Sequence, residues 1–220
     1  MLLESPPSFS WSQLYRRRKA AARRFGKTVF QLPLVKRARD VVLAHVAAHS
    51  CVLEAGAGER KMKPLLESLR RGVVYESMDP DPRGEHDYRE WEQIEKTYDC
   101  VFALEVIEHL TLEEIPSWLV ELGRRLRPGG HLVLSTPNTF YPPAYLRDAT
   151  HRTPLCYDEL AGLVATSGFD VQQIYRAYHD PIHRVLFRRY LFGWLFRLLG
   201  IDFAKQIVLV ARKVEIRSTC

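Results

Sequence analysis

The sequence predicts an α/β fold in which a mostly parallel sheet is covered by helices on both faces. Two observations carry this. From residue 51 onward, short apolar runs of strand length alternate with segments of helical period, and such alternation is how parallel strands joined by crossover helices read. In addition, 220 residues with 46% hydrophobic and 26% charged side chains suit one sizeable core. That composition excludes disordered, collagenous and disulfide-scaffold classes, and the lack of an internal repeat or low-complexity tract argues for one domain with terminal additions.

The elements follow in order. Residues 11–27 place Trp11, Leu14, Tyr15, Ala22 and Phe25 at helical spacing, with Arg16-Arg17-Arg18-Lys19 and Arg23-Arg24 elsewhere, which predicts a basic amphipathic helix. A second helix is expected over roughly 34–49. Strands are expected at 51–55, 73–78, 99–104 and 131–135, with helices at 61–71 and 112–126 between them. A helix at about 157–167, a strand at about 170–176, an apolar and basic segment at 183–199 and a last strand at 206–211 complete the chain. The last two strands lack an ordinary crossover helix between them, which suggests an antiparallel hairpin on one edge of the sheet. The organisation expected is a basic N-terminal helical extension at 1–33, followed by one domain at 34–220 with a helical insertion at about 183–199.

Charge is unevenly spread. Residues 1–50 hold 10 Lys/Arg against 2 Asp/Glu, residues 51–176 hold 14 against 21, and residues 177–220 hold 8 against 3. Basic flanks of this kind attract phospholipid headgroups, nucleic acid or phosphorylated substrates, or are simply solvated helix faces. The four cysteines, at 51, 100, 156 and 220, form no close pair, so a structural zinc site is not expected from them. With no apolar leader pattern at the start, the expectation is a reducing, cytoplasmic setting.

The chemistry begins where the first strong strand ends, in Glu54-Ala55-Gly56-Ala57-Gly58. Glycines there let the chain turn sharply and admit a ligand to the backbone at the carboxyl end of the sheet. The dinucleotide fingerprint wants a glycine three positions after Gly58, where Lys61 stands, so a nicotinamide or flavin reading loses ground. Asp79 ends the next strand, Asp87 precedes the following crossover, and Glu105-Val106-Ile107-Glu108-His109 leaves the strand after that.

The motifs VLEAGAG, YDCVFALEVIEHL, LRPGGHLVLSTPN and DATHRTPLCYDEL, followed by Gly168-Phe169, occur in an order that resembles the class I S-adenosylmethionine-dependent methyltransferases. Within them the chain looks like the branch of the ubiquinone-biosynthesis and glycan or small-molecule O-methyltransferases. The resemblance covers about residues 40–176 plus the final strand. It implies a Rossmann-like, seven-stranded sheet with its last strand antiparallel, and S-adenosylmethionine as cofactor. Arg60 departs from the GxGxG spacing of the family. On this resemblance Asp79 would hold the ribose hydroxyls, unless it is only a turn residue before Pro80. Glu54 would orient the methionine end, Gly56 and Gly58 would admit the cofactor, and Asp87 would meet the adenine amino group or remain a solvated loop residue. Leu104 and Glu105 would face the sulfonium.

Transfer to a hydroxyl needs alignment and a base, for which His109 and His151 are the candidates, with Glu105 and Glu108 beside them facing the acceptor. The same four residues can be read as a divalent-metal constellation, for example for Mg²⁺, similar to that of RNA 3′-terminal 2′-O-methyltransferases. No Asn/Asp-Pro-Pro-Tyr signature follows the 99–104 strand, and Tyr141-Pro142-Pro143 after the 131–135 strand reads as loop punctuation, which together argue against N-methylation of planar nitrogens. The acceptor class expected is a small molecule, a lipid or a glycan. In 183–199, Phe187, Tyr190, Leu191, Trp194 and Leu198 fall on one helical stripe, readable as a membrane-interface surface, a lid or a homodimer contact. The segment is too short and too charged to span a bilayer. Nucleic acid would explain the charge less readily with that stripe present. A non-catalytic binding protein on the same fold is a third reading.

Overall fold

The computed structural model of the protein describes residues 10–214. Seven strands, β1 (Leu34–Val35), β2 (Cys51–Ala55), β3 (Val74–Met78), β4 (Tyr98–Leu104), β5 (Leu126–Pro137), β6 (Phe169–Ala177) and β7 (Gln206–Lys213), form one sheet in the order β1-β6-β7-β5-β4-β2-β3. Neighbours are parallel except that β7 runs antiparallel between β5 and β6. The helices are α1 (Trp11–Phe25), α2 (Ala38–His45), α3 (Met62–Leu69), α4 (Ile115–Arg124), α5 (Pro142–Leu146), α6 (Tyr157–Thr166), α7 (Ile182–Tyr190) and α8 (Gly193–Leu199).

Successive strand residues point to opposite faces, and both faces are buried. Leu53, Val101, Leu132 and Leu209 pack with Leu119 and Leu122 of α4 and Leu160 and Leu163 of α6. Their sequence neighbours Val52, Cys100, Phe102, Val133 and Val208 pack on the other face with Val41 and Val42 of α2 and Leu66 of α3. Three layers result, and the strand runs read as continuously apolar because neither face meets water. Cys51, Cys100 and Cys156 are free thiols, and Cys220 lies outside the described residues. Among the described residues no helix is long and apolar enough to cross a membrane.

Four local expectations are corrected. Leu34 and Val35 do not start a helix: they pair with Arg176 and Ala177 as an added edge strand, and α2 begins only at Ala38 after an extended Arg37. A two-residue apolar run has no period, so only the free edge of β6 decides its state. The closing strand pair does not form the edge, since β7 is inserted beside β5 and β1 covers β6. Tyr141-Pro142-Pro143, read as loop punctuation, opens α5, because proline is tolerated in a first helical turn. The 183–199 stripe is divided into α7 and α8 at Leu191-Phe192, just before Gly193, a residue poorly suited to a helix interior.

Residues 10–33 share the core of the domain. Arg18 pairs with Asp158 at 3.2 Å and Glu159 at 2.9 Å on α6, and the Tyr157 hydroxyl donates to the Gly26 carbonyl at 2.8 Å. Gly162 lets α1 approach, since a Cβ there would stand 3.2 Å from Leu14 Cδ1 and 3.3 Å from the Arg18 amide nitrogen. Residues 1–9 lie outside the described residues.

A buried polar network joins the strand ends that carry the site. Arg176 pairs with Asp202 at 2.9 Å and donates to the carbonyls of Leu32 and Phe30. Asp202 also accepts from Asn138 Nδ2 at 3.0 Å and from the Phe203 amide at 2.8 Å. Arg176, Asp202 and Asn138 are all buried. Removing one partner strands a buried charge, so Asp202→Ala is expected to lose about 3–5 kcal/mol in urea unfolding. Asp202→Asn, which keeps the shape and some hydrogen bonds, should lose less.

Candidate functional site

β2 lies between β3 and β4, so connections leave its neighbourhood in opposite directions and open a crevice at the carboxyl ends of the strands. The loop after β2 lines one wall. Gly56 has φ 71°, and a Cβ there would lie 2.5 Å from Val106 Cγ2 of the loop after β4, so only glycine fits. Gly58 has φ 46° with open space where its Cβ would be, which leaves its backbone accessible to a ligand. Its amide donates to Asp79 Oδ2 at 2.8 Å, and Asp79 Oδ1 accepts from the Asp81 amide at 3.0 Å. Asp79 is half-buried and retains lone pairs for other donors.

Asp87 is used differently. One oxygen accepts from the Ser77 amide at 2.9 Å and the Ser77 hydroxyl at 2.7 Å, and meets Arg60 at 3.2 Å. It therefore holds its own loop to β3 and to Arg60, and its carboxyl is held below the usual range by the Ser77 bonds against a burial cost. Arg60 has φ 54°, a left-handed conformation that glycine adopts without strain, so the backbone takes the form a third glycine would have taken. Its guanidinium also reaches the Glu85 carbonyl and lies 5.8 Å from the Tyr75 ring centre.

Glu54 is buried and accepts the Tyr75 hydroxyl. Burial is the main cause that pushes its carboxyl up to about 7, against the Tyr75 bond and the Arg60 charge, which lower it. The folded state thus holds a proton that the unfolded chain releases near pH 4.5, and stability falls as pH rises from about 4.5 to about 7. The decline expected is roughly 3 kcal/mol, and Glu54→Gln should lack this part of it in thermal melts across that range. Tyr75 was not foreseen as a site residue. It pairs with Val52 in register and so shares a face with Glu54 two residues on, a relation that appears only once β2 and β3 are aligned.

The other wall is built from the segments after β4 and β5. Leu104 ends β4 opposite Ser135. Glu105 follows with φ 58°, its amide bonded to the Ser135 carbonyl and its carboxylate accepting the Ser135 hydroxyl at 2.7 Å. Burial raises its carboxyl. Glu108 and His109 lie on a short 3-10 turn, Ile107–His109. The Glu108 carbonyl accepts the amides of Arg152 at 2.7 Å and Thr153 at 3.1 Å, which brings His151 beside it.

His151 Nδ1 lies 2.7 Å from the Tyr145 carbonyl, so this nitrogen carries a proton and Nε2 holds the lone pair in the neutral ring. Nε2 is 4.0 Å from Glu108 Oε1 and 3.9 Å from Asp148 Oδ2. The two histidine rings stand edge to face at 4.9 Å. His109 Nδ1 is 3.0 Å from the Thr150 hydroxyl, which itself donates to Asp148 at 2.7 Å. Neither carboxylate oxygen of Glu108 has a hydrogen-bond partner, although the residue is fully buried, and burial first and Glu105 second push its carboxyl up to about 8. Glu108, His109 and His151 each offer a ligand atom within 4.8 Å of the others.

Glu54, Gly56, Gly58 and Asp79 thus gather at the ends of β2 and β3, with Asp87 held by Arg60, while Leu104, Glu105, Glu108, His109 and His151 gather after β4 and β5. Sequence reasoning did not single out Thr150 or the Tyr145 carbonyl, which orient the two histidines, because α5 is needed to carry Tyr145 over His151. A cavity of about 700 Å³ bounded by Arg17, Phe25, Arg124 and Lys213 opens at the opposite, amino edge of the sheet and touches none of these groups.

Known proteins resemble this chain in sequence and in fold. A protein of Mycolicibacterium smegmatis (strain ATCC 700084 / mc(2)155) described as "Probable S-adenosylmethionine-dependent methyltransferase" is 32% identical over 157 residues. The match takes in 62% of this chain and 58% of that protein, so the chain spans less than two thirds of its relative. Among solved structures, a SAM dependent methyltransferase from Archaeoglobus fulgidus superposes with a TM-score of 0.59 at 18% identity, over 80% of this chain and 94% of that one. A mycolic acid cyclopropane synthase complexed with SAH and CTAB gives 0.54 at 14% identity, over 80% of this chain and 82% of that one. Likenesses at these identities are of fold. Residues 16–174 match the family described as methyltransferase domain, a stretch that includes the glycine loop, Asp79 and His151, and the chain belongs to that family.

Proposed function

We propose that the protein transfers a methyl group from S-adenosylmethionine to a hydroxyl oxygen of a small-molecule, lipid-like or glycan acceptor. The observation that carries this is that the Tyr145 carbonyl engages His151 Nδ1 and leaves Nε2 as the lone-pair nitrogen of the neutral ring, in a chain whose glycine loop exposes the Gly58 backbone beside the Asp79 carboxylate. Asp79 would accept the ribose hydroxyls, and ionised Glu54 would pair with the methionine ammonium. Leu104 and Glu105 would lie beside the sulfonium. S-adenosylmethionine would supply an electrophilic methyl group and leave as the neutral thioether S-adenosylhomocysteine (SAH), while His151 Nε2 would take the proton of the acceptor hydroxyl. The family match and the relatives' descriptions support the reaction class. The acceptor class rests on the resemblance of the motifs.

A second reading is favoured by the unpartnered carboxylate of Glu108 beside two imidazoles. With Glu105 nearby, Glu108, His109 and His151 fit a divalent cation, which would acidify a ribose hydroxyl at an RNA 3′ end. Two nitrogen donors suit Mn²⁺ or Zn²⁺ better than Mg²⁺, which favours oxygen ligands.

Calorimetric titration of the purified chain with SAH, with and without Mn²⁺, tests the proposal. Micromolar binding is expected, followed by SAH release when lipid, glycan and RNA acceptors are screened with the methyl donor. Absence of binding by the folded chain would overturn it, and binding without turnover on any acceptor would mark a non-catalytic member. Loss of turnover in EDTA, restored by Mn²⁺ and specific to RNA ends, would select the second reading.

A further inference from the structure

We propose that α7 and α8 dock the protein on an anionic lipid bilayer. The segment leaves the sheet at the carboxyl end of β6 and returns at the start of β7, on the edge that carries the site. It starts three residues after His179, whose ring bonds the Gln206 side chain on β7. Between Ile182 and Ile201 most large apolar side chains face solvent, with Tyr190 75%, Leu198 73% and Trp194 64% exposed, while Val185 is buried and Leu195 and Phe196 are half-buried. A soluble domain rarely leaves a contiguous apolar surface of this kind uncovered.

Charge selects the occupant. Residues 182–201 contain His183, Arg184, Arg188, Arg189 and Arg197 and no acidic residue. Among the described residues only Arg188 of these has a carboxylate partner, Asp180 at 2.6 Å. Arg189 and Arg197 instead line a cavity of about 360 Å³ together with Arg176, Phe30, Phe196 and Phe203, and cationic and aromatic side chains side by side suit a lipid phosphate and its first methylenes. A second copy of this chain would set the same arginines against each other, and nucleic acid would leave the leucines and isoleucines without a role, because they offer no stacking surface. Aromatic and aliphatic side chains beside arginines on short helices are what a bilayer interface accepts.

Docking this way turns the crevice toward the membrane. That consequence for acceptor choice rests on the proposed reaction, while the binding itself does not. The test is sedimentation of the full chain with phosphatidylcholine vesicles and with vesicles that also contain phosphatidylglycerol. Preferential binding to the anionic vesicles is expected, weakened at least about tenfold in F187S/W194S and in R189E/R197E, and weakened by salt. All four positions are exposed, so both variants should keep the wild-type circular dichroism and SAH affinity. Failure of the folded chain to bind anionic vesicles, or equal binding by both variants, would overturn the proposal. So would a dimer that F187S/W194S dissociates, or RNA binding that R189E/R197E abolishes while vesicle binding persists.

Discussion

Replacing His151 with Ala is expected to lower kcat by about 10²–10⁴ while leaving SAH affinity within about twofold of wild type. The ring contributes nothing to the glycine-loop wall, and the loop around it is held independently by the Arg152 and Thr153 amides on the Glu108 carbonyl. What disappears is the one nitrogen whose tautomer is set by the Tyr145 carbonyl to receive a proton. Comparing SAH release on the acceptor identified by screening with calorimetric SAH binding separates these effects. Loss of binding together with turnover would move His151 from base to structural support. Turnover at the wild-type rate would exclude it as the base.

Asp79→Ala should act on the opposite wall and produce the opposite split. Two hydrogen bonds to a charged acceptor contribute about 1.5–3 kcal/mol each, so SAH affinity is expected to fall about 100-fold or more. The same change releases the Gly58 and Asp81 amides, which Asp79 now holds. Asp79→Asn, which keeps an acceptor for one amide, should lie between the two. The melting temperature offers a second readout, since SAH should raise it in wild type and not in Asp79→Ala. A folded Asp79→Ala chain with unchanged affinity would remove Asp79 from the cofactor site.

The two walls were not equally readable. Gly56, Gly58 and Asp79 lie just beyond the ends of β2 and β3, and strand ends are visible as the point where an apolar run meets glycine, aspartate or proline. The paired histidines were visible as residue types, but their roles depend on Tyr145, Thr150 and the Glu108 carbonyl, brought together by contacts across 40 or so residues of chain. Arg60 shows the limit in another way. In the sequence it is a departure from glycine spacing, whereas in the structure it keeps the glycine-like backbone and ties the loop to Asp87.

By itself the sequence determined the α/β class, the order of the main strands and helices, and the residues clustered at the carboxyl edge, because burial on both faces writes apolar runs directly into the chain. Only the tertiary structure decided that Leu34–Val35 joins the sheet and that β7 inserts between β5 and β6. Those pairings are chosen by which strand edges remain free. Likewise, the apolar character of 182–201 is local, but its exposure is not: it depends on how α7 and α8 lie against the sheet, which buries Val185 and leaves Phe187, Tyr190, Trp194 and Leu198 facing solvent.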